Sequence, residues 1–393
     1  MVRFSRRVPS DLRPNRLAQL RARLGPPEFD LTESNPTRCG LPYPTDLLGA
    51  LLEPAGFRYD PDPLGPEVAR RTVADWYRQW DVRVDPQHVV LTASTSEAYS
   101  FLLKLLVEPG GSALVPTPSY PLFEQLARLD GVGLAHYRLD PEMGWRVDPD
   151  TIAATPEGCR AVVTVHPNNP TGSFLHPDDA DLLVALCRDV RAALVVDEVF
   201  LPYRLRDTPG SRHSFVSEKR CLTFSLGGIS KALGLPQLKL AWIVVGGPES
   251  EVRSALDRLE YISDAYLSVG TPVALAMPDL LRRCKVVSQS IARRCRANLD
   301  RLLELAGTVP HVTVLEPDGG WSAVLRIPNV IDEEELAITL LEHQTVAVHP
   351  GFLFDFPTDG YLVLSLLPPE PVFAEGVRRL FDAVDQVVTG MAD

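Results

Sequence analysis

Long apolar runs and paired cysteine motifs are both missing from this chain of 393 residues. A membrane-spanning helix needs about 20 predominantly apolar residues, and the sequence has no such run. The basic N-terminus lacks an apolar core, so it does not have the pattern of a secretory signal. The six cysteines are scattered without a C-x-x-C pair or a paired histidine spacing, which argues against structural zinc and a disulfide framework. We therefore expect a cytoplasmic protein with reduced, mostly buried thiols and no metal site.

Positive charge is also in short supply. The formal net charge is -12, whereas a general binder of nucleic acid or of anionic membranes would carry a basic patch. We therefore expect neither partner, although a small anionic ligand in a local pocket is compatible with this charge. Lysine is scarce, and yet Lys231 and Lys239 share one glycine-rich segment that follows an apolar run.

The middle of the chain alternates short apolar runs with longer amphipathic stretches. Runs such as AVVTVHP, ALVVDEV and LAWIVVG are typical of strands that helices cover on both faces. This alternation predicts an α/β fold with a mostly parallel central sheet covered by helices, and the C-terminal pattern predicts a smaller α+β domain. We place the large domain at residues 47–277, and we assign residues 1–46 and 278–393 to an irregular N-terminal arm and the small domain.

A group of hydroxyl side chains follows the first apolar run, HVVLTA. Ser94-Thr95-Ser96-Glu97 fits a capping box in which Ser94 caps a helix and Glu97 is its third residue. Free backbone N–H groups and the helix dipole at such a terminus favour an anion. The segment is therefore either an ordinary helix cap or an anion-binding site.

Two further loops place polar residues where an apolar run ends. Asn169, in HPNNPTG, either belongs to a surface turn or presents its amide to a ligand. Asp197 closes the run ALVVD, where a buried carboxylate is costly unless it is paired. Its partner is either a core arginine or the protonated ring nitrogen of a ligand. Open parallel sheets bind their ligands in such loops, beyond the carboxyl ends of the strands.

Lys231 follows the apolar run CLTFSL through two glycines, Gly227 and Gly228. Glycines at this position allow the backbone to approach a ligand closely. A lysine in a pocket of low dielectric has a lowered pKa, and its neutral amine forms Schiff bases. The alternative is a solvated lysine in a loop.

The order and spacing of these motifs say more than any one of them. Asn-Pro-Thr-Gly is followed about 28 residues later by Asp-Glu, and Ser-Lys comes about 33 residues after that. Together with TPSYPLF, GGISKALG and the C-terminal PGFLF…GYLVLS segment, they make the chain similar to the class I/II aminotransferases. These are pyridoxal-phosphate-dependent enzymes of fold type I, and the resemblance covers most of the chain.

The resemblance implies pyridoxal 5′-phosphate as the cofactor. Lys231 would form the Schiff base and then move a proton as general base and acid. Asp197 would pair with the pyridine N–H, which keeps the ring protonated as an electron sink. The other implied cofactor contacts are Ser94, Thr95, Ser96, Ser230 and Lys239 around the phosphate, Tyr120 stacked on the ring, Asn169 at O3′, and Phe200. Tyr59 matches a tyrosine that reaches the phosphate of a neighbouring subunit, which implies a homodimer with shared active sites.

The sequence departs from the family pattern at the cofactor contacts. Phe200 stands where the family usually has a tyrosine that donates to O3′, and Tyr203 is a candidate substitute. Lys239 replaces an arginine that binds the phosphate through two hydrogen bonds, and Gly228 replaces a serine. We therefore expect weaker retention of the cofactor.

A further departure concerns the substrate. Val363 stands where the family has an arginine that clamps the α-carboxylate. Either another arginine reaches in, with Arg38 beside Asn35 in the N-terminal arm as a candidate, or the substrate has no free α-carboxylate.

We therefore predict a pyridoxal-phosphate-dependent aminotransferase that acts on an amino acid or another amine, with a 2-oxo acid as its second substrate. A lyase, decarboxylase or oxidase would use the same cofactor chemistry. The sequence is also compatible with a non-catalytic binding protein of the same fold, and with a cofactor-free aldolase that uses Lys231.

Overall fold

The computed structural model describes residues 2–208, 211, 213–329 and 332–390. The strands in these ranges are β1 (Phe29–Asp30), β2 (Val89–Thr92), β3 (Ser112–Thr117), β4 (Gly133–Asp140), β5 (Arg146–Val147), β6 (Ala161–Val165), β7 (Ala193–Asp197), β8 (Thr223–Gly228), β9 (Ala241–Gly246), β10 (Thr313–Leu315), β11 (Ser322–Arg326), β12 (Val346–Ala347), β13 (His349–Pro350) and β14 (Tyr361–Ser365).

The α-helices alternate with these strands along most of the chain. They are α1 (Arg16–Leu24), α2 (Glu67–Tyr77), α3 (Thr95–Leu106), α4 (Leu122–Asp130), α5 (Pro149–Ala153), α6 (Pro177–Val190), α7 (Ile229–Ala232), α8 (Glu249–Asp264), α9 (Thr271–Arg283), α10 (Lys285–Ala306), α11 (Glu333–His343) and α12 (Glu370–Gly390). Within the described ranges, none of them combines the length and the apolar character that a membrane crossing requires.

Strands β2 to β9 form the central sheet, in the order β2-β9-β8-β7-β6-β3-β4-β5. Neighbouring strands from β8 to β4 are parallel, whereas β9 is antiparallel to both of its neighbours and β5 is antiparallel to β4. This arrangement confirms the predicted α/β class with a mostly parallel sheet. The outer strand β4 was not among the predicted runs, because its exposed and buried residues are mixed.

Helices cover both faces of this sheet, which explains why its inner strands are predominantly apolar. One face packs against α3 and α8, where Phe224 and Ile243 of the sheet meet Phe101 and Leu259 of the helices. The other face is covered by α2, α6 and α9. Strands β6, β7 and β8 are buried along their whole length. The polar residues inside them are the small hydroxyls of Thr164 and Ser225, whereas the carboxylate of Asp197 appears where β7 ends.

A second sheet forms the smaller unit, in the antiparallel order β10-β11-β14-β13. It packs with α10 and α12 around a separate apolar core. The N-terminal segment joins this core, because β1 pairs in parallel with β12. That segment was expected to be irregular, but its residues Arg16–Leu24 form a helix capped by the Asn15 side chain. The domain boundaries themselves remain a prediction.

All six cysteines are buried and free. Their burial agrees with the prediction of buried thiols, since a free cysteine behaves as a small apolar residue in a core.

Candidate functional site

A cavity of about 470 Å³ lies where the carboxyl ends of the central strands face the smaller sheet. Most of the predicted site residues line it: Ser94, Thr95, Ser96, Tyr120, Asn169, Asp197, Phe200, Ser230, Lys231, Lys239 and Val363. Three predicted residues, Tyr59, Asn35 and Arg38, are not among its lining. The volume lies within the range of small-molecule and cofactor sites.

Three hydroxyl side chains at one end of the cavity, Ser94, Thr95 and Ser96, belong to the N-terminus of α3. The Ser94 Oγ accepts the N–H of Glu97 at 3.1 Å, and the Glu97 carboxylate accepts the N–H of Ala93 at 2.7 Å. Ser94 therefore caps the helix and lines the cavity at once. The hydroxyls of Thr95 and Ser96 make no hydrogen bond to any described residue, which leaves them available to an anion beside the helix terminus.

Lys239 emerges at the same end of the cavity. Strands β2 and β9 are antiparallel, and their pairing ends at Thr92 opposite Ala241. Because Lys239 precedes Ala241 by two residues and Ser94 follows Thr92 by two, the two residues leave the sheet side by side. Lys239 has a left-handed backbone, with φ of 53°. Its ammonium group therefore adds positive charge near the helix N-terminus.

Asp197 ends β7 and is 7% exposed. Its carboxylate accepts the hydroxyl of Tyr99 at 3.0 Å and the N–H of Val199 at 3.1 Å. No arginine pairs with it among the described residues, so the alternative of a core arginine is wrong. Burial raises the pKa of Asp197 to about 6, and the two hydrogen bonds oppose that rise.

Tyr99 is a site residue that the sequence reasoning missed. It is 5% exposed and lies on α3, five residues after the cap, where it reads as an ordinary apolar position of an amphipathic helix. Its role is apparent only from the hydrogen bond between its hydroxyl and Asp197 at the end of β7. The sequence signal that was available is its place in the same helix as the predicted anion site.

Lys231 lies on the short helix α7, immediately after β8. Its Nζ is 5.1 Å from the centre of the Trp321 ring and 5.7 Å from that of Phe200. Burial lowers the pKa of Lys231, while the negative charge of Asp197 acts in the opposite direction. The amine hydrogen-bonds no described residue. Lys231 therefore lies on a short helix and not in a solvated loop, and burial shifts its amine towards the neutral form.

The two glycines before Lys231 have a different role from the one expected. A Cβ on Gly227 would lie 2.5 Å from the indole of Trp242, and a Cβ on Gly228 would lie 3.0 Å from the Cβ of Ala241. Gly227 therefore makes room for a tryptophan of β9 and not for a ligand. Gly228 faces β9 too, although it also lines the cavity.

The positions around Phe200 show what replaces the expected tyrosine. Phe200 lines the cavity and packs edge-on against Trp321, with ring centres 5.4 Å apart. Tyr203, the candidate substitute, lies behind the cavity wall. Its hydroxyl donates to the backbone carbonyl of Lys231 at 2.7 Å. The phenol therefore steadies the lysine segment and does not reach the cavity.

Tyr120 and Asn169 lie on neighbouring loops of the cavity rim, which follow the paired strands β3 and β6. Tyr120 is 41% exposed, and its ring stands edge-on to Phe123. Asn169 is half-buried after β6, and its amide makes no hydrogen bond to a described residue. An aromatic face and a free amide are therefore both available to a ligand.

The wall opposite the central sheet contains residues that the sequence did not single out. Val363, on β14, lies between Val324 of β11 and His349 of β13. The unpredicted lining residues on this side are Thr32, Ser34, Trp321, Ser322, His349 and Ser365. No arginine lines the cavity among the described residues.

Arg38 and Asn35 lie outside this wall. The Arg38 side chain is 74% exposed, with its guanidinium 3.8 Å from the Glu33 carboxylate. The Asn35 side chain accepts the N–H of Thr37 at 3.1 Å and caps a short turn. Their assignment to the substrate stays a prediction.

Tyr59 is 78% exposed and lies beside a different, smaller hollow that Leu267 and Ser268 also line. Its predicted reach into a neighbouring subunit concerns a second chain and stays a prediction. Within the described ranges, no group of three or more histidine, cysteine or acidic side chains is placed to hold a metal ion.

Comparisons with known proteins agree with this geometry. Residues 53–370 match the family model "Aminotransferase class I and II". The chain is 27% identical over 364 residues to an alanine aminotransferase of Mycobacterium tuberculosis, covering 89% of this chain and 84% of that one. It is 25% identical over 350 residues to the glutamate-pyruvate aminotransferase AlaA of Escherichia coli, covering 86% and 85%. The solved structure of an Escherichia coli aminotransferase matches with a TM-score of 0.85 at 21% identity, over 98% of both chains, and this likeness establishes the fold.

Proposed function

The chain belongs to the class I and II aminotransferase family, and we propose that it transfers an amino group from an amine to a 2-oxo acid through pyridoxal 5′-phosphate held at Lys231. The observation that carries this proposal is the meeting, in one cavity, of a buried lysine amine, a buried carboxylate and a helix N-terminus with free hydroxyls.

Each part of the cofactor meets a chemically suitable group. Thr95, Ser96 and Lys239 offer hydroxyls and a positive charge to the phosphate at the N-terminus of α3. The Asp197 carboxylate suits a protonated pyridine nitrogen, since it is buried and lacks a cationic partner among the described residues. Lys231 suits the aldehyde, because its amine is buried and without a hydrogen-bond partner in the described chain. The donor set therefore fits the cofactor.

When bound, pyridoxal phosphate supplies an aldehyde and an aromatic electron sink. The protein contributes positioning and proton transfer. Lys231 gains and loses a proton at Nζ, and burial lowers its pKa, which favours the neutral amine that accepts the proton. Asp197 is mostly ionised at neutral pH, and Tyr99 fixes the orientation of its carboxylate. The rings of Phe200 and Trp321 form an apolar surrounding for the amine.

A homodimer with shared active sites is part of this proposal. Large apolar side chains are exposed on the segment that precedes α2: Leu52 is 77% exposed, Phe57 is 93% exposed and Tyr59 is 78% exposed. Such a surface is typical of a protein–protein interface. Light scattering of the purified protein measures the mass directly, and a monomer at micromolar concentration would contradict the dimer.

The proposed reaction is tested by the visible spectrum of the protein loaded with cofactor. We expect an absorbing cofactor that an amine bleaches and a 2-oxo acid restores. Borohydride should fix the cofactor to Lys231, as peptide mass spectrometry would show. The variant Lys231→Ala should lose the fixed cofactor, whereas Lys104→Ala, an exposed lysine on α3, should keep it. A cofactor fixed elsewhere would refute the assignment, and bleaching that no 2-oxo acid reverses would favour a lyase, decarboxylase or oxidase.

A further inference from the structure

The wall of the cavity formed by the smaller sheet offers hydrogen bonds without a fixed charge. Its polar members are Thr32, Ser34, Ser322, His349 and Ser365. Lys231 and Lys239 are the lysines among the described lining residues. The pairing of β2 with β9 ends at Thr92 opposite Ala241, two residues from Ser94 and Lys239, so Lys239 leaves the sheet at the same end as the N-terminus of α3.

His349 is the central polar group of this wall. It lies on β13, directly opposite Val363 on β14. Its ring stands edge-on to Phe354, with centres 5.7 Å apart, and its nitrogens hydrogen-bond no described residue. Burial lowers the pKa of His349, which favours the neutral ring, and a neutral imidazole presents one N–H donor and one acceptor.

The charged groups near His349, Arg21 and Asp30, form an ion pair with each other. Arg21 also donates to the Thr32 hydroxyl at 3.0 Å. That hydroxyl donates in turn to the Asp30 carboxylate. Thr32 lines the cavity, and Arg21 does not. The nearby arginine is therefore neutralised by Asp30 and is no substitute for an arginine in the wall.

Other groups in the wall suit a neutral ligand as well. The hydroxyls of Ser34 and Ser322 make no hydrogen bond to described residues, whereas the hydroxyl of Ser365 donates to the Glu33 carbonyl at 2.7 Å. Trp321 is 3% exposed, and its buried Nε1 has no acceptor in the described chain. A carboxylate placed here would lose its water and gain no cation in exchange, which is costly. A hydroxyl or an amide would find donors and acceptors.

We infer that His349 is the specificity-determining residue of a neutral subsite. The preferred amine carries a hydroxymethyl or a carboxamide group on its amino-bearing carbon, in the place where an amino acid carries its carboxylate. This inference rests on the proposed function, because it names the amino donor of the same site. It differs from what the names of the relatives suggest, since alanine and glutamate carry α-carboxylates. The carboxylate of the 2-oxo acid meets the same uncharged wall in the second half of the reaction, so we expect the acceptor to bind more weakly than the neutral donor.

The test compares three amines with the same three-carbon skeleton on the cofactor-loaded protein: L-alanine, L-alaninamide and 2-aminopropan-1-ol. Stopped-flow absorbance gives the rate at which each bleaches the visible band in a single turnover. We expect the two neutral amines to react at least about tenfold more efficiently than alanine, as a hydrogen bond gained and an unpaired charge avoided would produce.

Binding is measured separately with amines that cannot complete the reaction. In 2-amino-2-methylpropan-1-ol and 2-aminoisobutyric acid, a methyl group replaces the transferable hydrogen. Displacement of the visible band then reports affinity without turnover. We expect the alcohol to bind more tightly than the acid.

Three variants assign the preference to residue 349. His349→Leu should weaken binding of the alcohol about tenfold, His349→Gln should retain most of it as a neutral donor and acceptor, and His349→Arg should shift the preference towards the acid. His343→Leu, at the exposed end of α11, is the matched control. It should change neither the affinity for the alcohol nor the preference between the alcohol and the acid. Thermal unfolding verifies that each variant is folded.

The outcomes separate this inference from the proposed function. A wild-type preference for alanine, for example through an arginine from a second subunit, would overturn the neutral subsite and leave the aminotransferase intact. Unchanged affinity for the alcohol in His349→Leu would overturn the role of His349. If no amine bleached the cofactor, the proposed function would fail and this inference with it.

Discussion

Removal of the Tyr99 hydroxyl should raise the pKa of Asp197 and thereby lower the affinity for the cofactor. In Tyr99→Phe, the carboxylate keeps only the Val199 N–H of its two hydrogen bonds. A hydrogen bond to a charged group contributes about 1.5–3 kcal/mol, and about 1.4 kcal/mol corresponds to a tenfold change in an equilibrium constant. We therefore expect the ionisation constant of Asp197 to fall about 10- to 100-fold.

The consequence at neutral pH follows from the starting value. With a pKa of about 6, Asp197 is about nine-tenths ionised at pH 7. In the variant, the ionised fraction at pH 7 should be between about one half and one tenth. A protonated carboxyl no longer attracts a protonated ring nitrogen, so the affinity for pyridoxal phosphate should fall at pH 7 and recover partly at higher pH.

Stability of the cofactor-free protein gives a second measurement with a defined sign. The pKa of Asp197 is raised above the value near 3.9 of an unfolded aspartate, so the folded state binds more protons between these values. Its stability therefore falls as pH rises from about 4 to about 6. Tyr99→Phe should extend this fall to higher pH, so the variant should be more strongly destabilised at pH 8 than at pH 5.

The matched control is Tyr137→Phe. Tyr137 is also fully buried, but its hydroxyl donates to the neutral carbonyl of Val163 at 2.9 Å. Its loss should cost about 0.5–1.5 kcal/mol with little dependence on pH. Urea unfolding at the two pH values measures both variants. An equal destabilisation of Tyr99→Phe at pH 5 and pH 8 would refute the coupling of Tyr99 to Asp197.

Two further predictions concern the segment around Lys231. Gly227→Ala should lower the free energy of unfolding by about 1–3 kcal/mol, because its Cβ would overlap the Trp242 indole. Gly49→Ala is the control and should be nearly neutral, since open space surrounds Gly49. Thermal unfolding of both variants measures the difference. Lys239→Ala should raise the dissociation constant of pyridoxal phosphate at least about tenfold and reduce its dependence on salt, and the exposed Lys285→Ala should not, as measured by equilibrium dialysis. Unchanged cofactor affinity in Lys239→Ala would remove this lysine from the phosphate site.

Much of the fold followed from local patterns. Strands β6, β7 and β8 are buried on both faces, so their sequences are mostly apolar runs. Asp197 ends one run, and Asn169 and Lys231 follow the other two within four residues. The position of a polar residue after such a run predicts that it lies at the carboxyl edge of the sheet. The outer strand β4, which pairs with β5 only at its last two residues, was missed because part of it meets solvent and its pattern is therefore irregular.

The contacts that set the chemistry of the site required the folded chain. Gly227 was expected to face a ligand, but Trp242 packs against it. Tyr203 was a candidate for the missing tyrosine donor, but its hydroxyl donates to the Lys231 carbonyl. In both cases the partner lies on another element, so no local periodicity records the contact.

The sequence by itself determined the α/β class, the family and the set of residues at the strand ends, because burial and turn chemistry act on residues close together in the chain. Only the tertiary structure decided that Tyr99 orients Asp197, that His349 faces the cavity beside Val363, and that Arg21 is held by Asp30 behind Thr32. These pairs are brought together by packing between separate elements. The charge and hydrogen-bonding capacity of the substrate wall are therefore properties of the folded protein.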